Sequence, residues 1–337
     1  MKLENDSLKY SISDVIRYFK SPYASWATWA NLMKPNSVFV ENEMLNNTSL
    51  LLRSEENEAD AKRYLINNYS TVKQISNPLE SYRESKELID SKVDVIVQAT
   101  INRDQFEGRA DFLIFDKEQD LYEVMDAKLA KQIKPEFLLQ VCGYTWMLES
   151  YQTSLPKNGW FFLGNENVEY FKLSEFYKFF IDLKEEFLET VNNYSLESHP
   201  TPRKWETFEE YNDAALMYWK KNKSLELIAD ISKRQVEILE KEGVKTITNV
   251  PRIKAKTLPK ISSETLDKIK RQASAQLASD ENKTHIELRN AEESIHHLHT
   301  LMPDEQNGDI YFDLEGHPFY DIRSEYTMEY LYGVAYK

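Results

Sequence analysis

The sequence predicts an α/β domain whose mixed β-sheet is flanked by helices, followed by a helical module and two further strands. Three observations lead to this fold class. From residue 93 the apolar pattern has a period of two and is rich in β-branched residues. Segments with helical spacing precede and follow this region, for example residues 135–151. After residue 224, short helical segments interrupted by Gly243 and Pro251 replace the alternation.

The predicted elements of the first domain alternate between helical and extended segments. Ser21-Pro22 divides the first helical stretch, and Pro135 suits the first turn of a later helix, where an N–H is not needed. Two helices are expected over 11–33 and one over 53–69, strands over 93–101, 108–116, 121–129, 159–164 and 168–173, and helices over 135–151 and 174–194. The domain is therefore expected to span 1–195, with a linker over 196–223.

Composition excludes several classes of protein. The chain has 337 residues, of which 41% are hydrophobic, and it contains one cysteine, Cys142. A disulfide framework or an all-cysteine metal site within the chain is excluded, and a reducing compartment is expected. The opening MKLENDSLKY contains no apolar segment, and no run of 18 apolar residues occurs. We therefore expect a cytoplasmic protein without a membrane partner.

The distribution of charge limits how the chain could bind nucleic acid. The net charge of −14 argues against binding through overall electrostatic attraction. Residues 252–271, however, include seven basic and two acidic side chains. This stretch indicates either a local phosphate-binding surface or a solvated helix face.

Acidic residues occur on two of the predicted strands. In YEVMDAKLAK, period two places Asp126 and Lys128 on the same face as Tyr122 and Val124. A hairpin through the turn KEQD would bring Asp111, on the preceding strand, beside Asp126. Paired carboxylates repel each other unless a divalent cation lies between them. The alternative is a salt bridge from Lys128 to either aspartate at a strand end.

The following helix carries polar residues at a spacing that would face the same strands. Gln140 and Tyr144 are four residues apart and therefore share one helix face. The order G-x-x-D, D-x-K and Q-x-x-x-Y within residues 108–148 resembles the core of RecB-type PD-(D/E)XK nucleases. In particular, it resembles the predicted nucleases of that type that are fused to an RNase H-like exonuclease domain and often to a helicase.

The resemblance implies a restriction-endonuclease-like fold and a set of site residues. By this resemblance Asp111 and Asp126 bind Mg²⁺ or Mn²⁺, Lys128 is the catalytic lysine, and Gln140 and Tyr144 support the site and contact DNA. The implied activity is a metal-dependent deoxyribonuclease, an exonuclease acting on DNA that is single-stranded or has free ends. Its implied roles are DNA repair, recombination or defence.

Two positions depart from the family pattern. The first motif of the family commonly ends in His-Glu, whereas this chain has Asn57-Glu58. Glu58 is therefore expected as a third metal ligand, with an exposed helix glutamate as the alternative. Ser21 occupies the position where some relatives have the first cysteine of an iron–sulfur cluster, so no cluster is expected.

The segment 224–280 resembles the helix-hairpin-helix-like module that the family places after its nuclease domain. Lys254, Lys256 and Lys260 are expected to attract DNA, assisted by backbone amides at helix N-termini. The alternative is a helical spacer. A second linker is expected over 281–307.

Residues 308–337 resemble the start of a DnaQ-like, RNase H-like domain. Asp313 and Glu315 match its D-x-E motif, which implies a second metal site in an incomplete domain. The chain is therefore expected to be the N-terminal portion of a longer protein, with a helicase either following it or acting in trans. The prediction from the whole sequence is a DNA nuclease, and the alternative is a nuclease-fold module that has lost catalysis and serves DNA binding or assembly.

Overall fold

The structure, a computed structural model, describes residues 1–5, 7–40, 48–75, 77, 80–279, 284–285, 306, 308, 310–317 and 328–336. Two compact units divide the chain. The first consists mainly of residues 1–201 and 207–211, and the second of 202–206 and most of the chain after 212. Within the described residues no helix is long and apolar enough to cross a membrane.

The first unit contains a mixed, six-stranded sheet flanked by helices. Its strands are β1 (Lys2–Glu4), β2 (Ser7–Lys9), β3 (Val72–Gln74), β4 (Val95–Arg103), β5 (Phe106–Asp116), β6 (Leu121–Lys128), β7 (Asn158–Leu163) and β8 (Val168–Lys172). Its helices are α1 (Ile12–Lys20), α2 (Pro22–Met33), α3 (Thr48–Asn68), α4 (Ser81–Asp90), α5 (Pro135–Leu148) and α6 (Leu173–Asn192).

The strand order in the main sheet is β3-β4-β5-β6-β7-β8. Strands β3 and β4 are parallel, as are β6 and β7, and the other neighbouring pairs are antiparallel. Helix α5 connects the parallel strands β6 and β7, which need a long crossover because a tight turn cannot join them. This topology confirms the prediction of a mixed sheet flanked by helices.

Apolar residues cover both faces of the sheet. Leu113 and Val124 belong to the core on one face, which includes residues of α1, α5 and α6. Phe112 and Met125 alternate with them and pack on the other face with residues of α3. A strand buried on both faces reads as a nearly continuous apolar run, and residues 112–114 of β5 and 121–126 of β6 form such buried runs. The charged residues that interrupt this run are therefore exceptions to the packing pattern.

Several predicted boundaries differ from the observed ones. Helix α3 begins at Thr48 rather than at Arg53, and the β1–β2 hairpin, β3 and α4 were not predicted. The expected linker over 196–223 contains helix α7, Asn212–Asn222, preceded by the 3-10 turn Glu209–Tyr211. Only the first half of that segment has the Pro-rich composition of a linker, whereas 212–222 contains neither proline nor glycine and buries Ala214 and Ala215.

The second unit contains short helices around their own apolar core. Helix α8 (Lys233–Lys241) is followed by Gly243, whose φ of +79° is readily adopted by glycine. A 3-10 helix, Ile247–Arg252, contains Pro251, and α9 spans Ser263–Ala278. Leu225, Val236, Leu239, Ile247, Val250 and Ile269 form the core. The predicted interruption at Gly243 is confirmed, whereas Pro251 lies inside the 3-10 helix, which ends one residue later.

The two predicted C-terminal strands are confirmed. Strand β9, Ile310–His317, pairs in antiparallel fashion with β10, Met328–Tyr336. Most of the linker expected over 281–307 lies outside the described residues.

Candidate active site

The two aspartates lie side by side where the β5–β6 ladder ends. The last pair of the ladder is Phe112 with Met125, so Asp111 and Asp126 occupy the next register position. Instead of a further backbone bond between the strands, the N–H of Ala127 donates to Asp111 Oδ2 at 3.0 Å. Beyond Met125, β6 continues to pair with β7 on its other edge. The side chain of Asp111 thus takes the place of a backbone carbonyl at the point where β5 and β6 separate.

Asp126 is a buried carboxylate with an incomplete set of partners. Its residue is 1% exposed, and Lys128 Nζ lies 2.6 Å from Oδ2. Among the described residues, no donor other than this ammonium reaches Oδ2. Burial, the largest influence, raises the pKa of Asp126 above its usual range; Lys128 lowers this pKa, and the neighbouring Asp111 raises it.

Helix α5 holds Lys128 in place. Gln140 Oε1 accepts a hydrogen bond of 2.9 Å from Lys128 Nζ, and the ring centroid of Phe137 lies 5.2 Å from the same nitrogen. The ammonium therefore contacts a carboxylate, an amide oxygen and an aromatic face, and these three contacts fix its position. This contact between β6 and α5 agrees with the sequence prediction that Gln140 faces the two charged strands.

Tyr144 lies against β5 because Gly108 has no side chain. A Cβ at position 108 would lie 2.9 Å from Tyr144 Cε1 and 3.2 Å from Met147 Cε. Burial, and then the negative charge of Asp126, raises the pKa of Tyr144 to about 12. The hydroxyl therefore stays protonated at neutral pH and can donate a hydrogen bond within the site.

Glu58 approaches the aspartates from α3. Burial, and then the negative charge of Asp111, raises the pKa of Glu58. Its Oε1 accepts a short hydrogen bond from the Gln98 side chain. Asn57, the residue before it, is buried. The charge of Asp111 thus acts on both Glu58 and Asp126.

The chemistry of these donors suits a divalent cation. Three carboxylates from three elements supply the hard oxygen ligands that Mg²⁺ and Mn²⁺ prefer, and among the described residues one buried oxygen has Lys128 as its only donor. Within the described part of the chain, no three acidic, histidine or cysteine side chains already stand at metal-ligand spacing. Lys128 balances the charge of Asp126 in this arrangement.

Two further residues of this site were missed by the sequence analysis. Arg109 is exposed. Its positive charge offsets part of the rise in the pKa of Glu58 and in that of Tyr144. The period of the strand could have identified Arg109, because it lies two residues before Asp111 on the same face. Gln98 lies on β4 in a left-handed conformation with φ of +59°, for which the sequence carries no signal.

The predicted DNA-binding lysines belong to the second unit. Lys254, Lys256 and Lys260 are exposed in the segment between the 3-10 helix and α9. Lys260 has a φ of +62° in a tight turn bounded by the bridge between Leu258 and Ile261. Their expected role in binding DNA stays a prediction.

The predicted second metal site lies on the C-terminal hairpin. Asp313 is exposed on β9 and pairs across the hairpin with Gly333. The backbone of Glu315 is in the same strand, opposite Leu331, but its side chain lies outside the described residues. The two residues have the same parity along the strand, and their role stays a prediction.

Comparison with known proteins gives little further information. No protein-family model matches the chain. No curated protein matches it either. A solved structure titled "Crystal structure of SSO0001" aligns with 55% of this chain and 78% of that chain, at 14% identity and a TM-score of 0.29. A likeness this weak carries no argument, and the structure itself defines the class as mixed α/β with a six-stranded sheet.

Proposed function

We propose that this protein is a metal-dependent nuclease that hydrolyses DNA phosphodiester bonds and has a restriction-endonuclease-like core. The observation that supports the proposal is the convergence of Asp111, Asp126 and Lys128 where β5 and β6 separate, with Glu58 in electrostatic contact. Isolated D-x-K tripeptides are common, but this one lies beside a second carboxylate and beneath a glutamine of the next helix.

Glu58, Asp111 and Asp126 would hold Mg²⁺ or Mn²⁺. When bound, such a cation supplies Lewis-acid chemistry, since it polarises a phosphodiester and lowers the pKa of a water ligand. The raised pKa values of Glu58 and Asp126 reflect negative charge and burial that a cation would offset. An iron–sulfur cluster is not part of the proposal, because the chain has a single cysteine.

Lys128 would stabilise the negative charge that develops on the phosphate. Its ammonium donates to Gln140 Oε1 at 2.9 Å and lies beside the carboxylate of Asp126. An oriented cation in a partly buried site contributes more than one in water, since little reorganisation is needed during the reaction. The Tyr144 hydroxyl, kept protonated by its raised pKa, would donate to a substrate oxygen.

Arg109 would bind a phosphate of the DNA strand. It is exposed, shows no ion pair among the described residues, and acts electrostatically on Glu58 and Tyr144. Guanidinium groups suit phosphate because their N–H donors can pair with two oxygens at once. Arg109 thus differs from Lys128, whose charge is already engaged by Asp126.

The remaining modules extend the same proposal. The exposed lysines at 254, 256 and 260 would add attraction for the DNA backbone. The D-x-E strand β9 would begin a DnaQ-like domain, and a helicase would act with it in DNA repair, recombination or defence. The preferred substrate would be DNA that is single-stranded or has free ends, and the site of action would be the cytoplasm.

Cleavage of labelled DNA tests the proposal. Purified wild type and Asp126→Asn would be incubated with linear single- and double-stranded DNA in Mg²⁺, Mn²⁺ or EDTA. We expect cutting by the wild type in either metal, none in EDTA, and a loss of about 100-fold or more in the variant. Cutting by the variant at the wild-type rate would refute the proposal and would indicate a contaminating nuclease.

A second candidate function is a nuclease-fold module that binds DNA or assembles with a partner without cutting. Two observations favour it: Asn57 is buried where the family has histidine, and Lys128 already neutralises Asp126. Calorimetric titration with Mn²⁺ separates the candidates. A competent nuclease site shows saturable binding that Asp126→Ala removes, whereas the module without catalysis shows DNA binding and no metal-dependent cutting.

A further inference from the structure

Strand β4 has an unusual backbone at Gln98, directly across from Asp111. The β4–β5 ladder pairs Val97 with Phe112 and Ala99 with Ala110, which leaves Gln98 and Asp111 facing each other without a ladder pair. Gln98 has a φ of +59°, a conformation that costs a non-glycine residue of this kind of order 1 kcal/mol or more. A side chain held in such a conformation within a strand requires an explanation.

The kink falls where the neighbour of β4 changes. Strand β3 pairs with β4 as far as Gln74 and Val97, and Ile75 N then donates to Val97 O at 3.1 Å. After the kink, the N–H of Thr100 donates to Ser85 Oγ of α4 at 2.9 Å. If the backbone only had to accommodate this change of neighbour, glycine or asparagine would adopt the left-handed conformation at a lower free-energy cost. Backbone geometry alone therefore does not account for glutamine at this position.

The side chain of Gln98 reaches Glu58. Its amide nitrogen donates a short hydrogen bond to Glu58 Oε1, across 40 positions in the sequence. Gln98, Asp111 and Asp126 thus occupy neighbouring positions in one row across strands β4, β5 and β6. Glu58 is linked to this row by its hydrogen bond with Gln98. Among the residues that the structure describes, Gln98 joins this row to α3 by a side-chain hydrogen bond.

We infer that Gln98 is a positioning residue, which fixes one oxygen of Glu58 by hydrogen bonding and so leaves the other oxygen directed at a divalent cation beside Asp111. This inference rests on the proposed metal-dependent nuclease function and deepens it. In many metal sites a carboxylate ligand is oriented by a hydrogen bond from a residue that does not touch the metal. Gln98 would have this role here, on a strand rather than in the first motif where the family has histidine.

Substitutions at position 98 can separate the side chain from the backbone. Gln98→Gly and Gln98→Asn both suit the left-handed conformation, so they preserve or raise thermal stability while removing or shortening the donor. Gln98→Glu keeps the length and replaces the amide donor with a second carboxylate. A role confined to backbone shape predicts that glycine and asparagine leave metal binding unchanged.

A double-mutant cycle with Glu58→Gln tests the inference in the full chain. Mn²⁺ affinity is measured by calorimetry and by the Mn²⁺ electron paramagnetic resonance signal, and cleavage is followed against Mn²⁺ concentration. We expect Gln98→Gly and Gln98→Asn to weaken Mn²⁺ binding about 10- to 100-fold, to recover much of the maximal rate at saturating Mn²⁺, and to have no further effect in Glu58→Gln.

Two outcomes would overturn the inference while leaving the proposed function intact. One is unchanged Mn²⁺ affinity in Gln98→Gly and Gln98→Asn. The other is an equal loss of affinity with and without Glu58→Gln, since Gln98 would then not act through Glu58. Failure of the nuclease proposal is distinguished by the wild type, which would then bind no Mn²⁺ that depends on Asp126. Gln98 would in that case have no ligand to position, and the inference would fail with the proposal.

Discussion

Lys128 Nζ and Asp126 Oδ2 lie 2.6 Å apart at the end of β6, with the carboxylate almost fully buried. The two residues are separated by one position, so the alternation of the strand places both on the same face. The cation and the anion stabilise each other, but burial of the carboxylate outweighs this attraction and keeps its pKa raised. Burial of a carboxylate costs free energy. We therefore expect this carboxylate to bind a cation or a proton.

The raised pKa of Asp126 predicts how activity depends on pH. Above its pKa the carboxylate is available to a cation, and below it a proton occupies the same oxygen. Since the folded pKa lies above the ordinary value of 3.8, metal-dependent cleavage should rise with pH in a range well above 3.8. Rates at a fixed, subsaturating Mg²⁺ concentration over roughly pH 5 to 9 would check this. A rate that is flat across this range would contradict the prediction.

Asp126→Asn should stabilise the protein in the absence of metal. A carboxyl whose folded pKa is raised stabilises the folded state fully only below its unfolded pKa, and this stability is lost as pH rises through the folded pKa. At neutral pH asparagine avoids that loss. We expect a gain on the order of 1 kcal/mol, or roughly 2–4 °C in melting temperature, in EDTA. A lower melting temperature for the variant would indicate that the ion pair with Lys128 dominates.

Arg109→Ala should weaken DNA binding more than it slows catalysis. The guanidinium is exposed and influences Glu58 and Tyr144 through its charge. We expect KM for single-stranded DNA to rise about 10-fold, with Mn²⁺ affinity nearly unchanged. Arg83 is a matched control, because it is an exposed arginine of the same unit that already pairs with Glu80 and Glu87. An equal effect of Arg83→Ala would show that only overall charge matters.

Charge reversal at Lys254, Lys256 and Lys260 should reduce DNA affinity without affecting the metal site. These lysines are exposed and lie in the second unit, away from the carboxylates in sequence. If all three contact phosphates, the slope of log affinity against log salt concentration should fall by roughly 2 to 3. Filter binding over a salt series would measure it.

The same substitution at three exposed lysines near α7 gives the matched control for this experiment. These are Lys220, Lys221 and Lys223. An identical change in slope for both triple variants would remove the case for a specific DNA surface between the 3-10 helix and α9.

Much of the first unit follows from local sequence patterns. The period of two over VDVIVQATI and GRADFLIFD predicts β4 and β5 because half-buried strands alternate their side chains. The break between α1 and α2 follows from Ser21-Pro22: Ser21 accepts from Ala24 N at 3.0 Å, and Pro22 occupies the first turn. The strand β3 has three residues and is too short to leave a periodic signal.

The proximity of the two aspartates was predictable because its geometry is local. Asp111 and Asp126 come together through a hairpin with a short turn, so register alone places them side by side. The contact between Glu58 and Gln98 was not predictable, because it depends on how α3 packs on the sheet and on a left-handed glutamine. No local rule assigns a positive φ to glutamine within a strand. Tertiary packing therefore determines this part of the site.

Cleavage by the Lys128→Ala variant is the most direct test of the proposed metal-dependent nuclease function. Wild type and variant would be incubated with 5′- and 3′-end-labelled single-stranded DNA in Mg²⁺, Mn²⁺ or EDTA, with Mn²⁺ binding measured in parallel. We expect metal-dependent cutting by the wild type. We also expect a loss of at least about 100-fold in the variant, which still binds Mn²⁺ through its carboxylates. Equal cutting by both proteins, or binding of DNA by the wild type without cutting in any metal, would refute the proposed nuclease function.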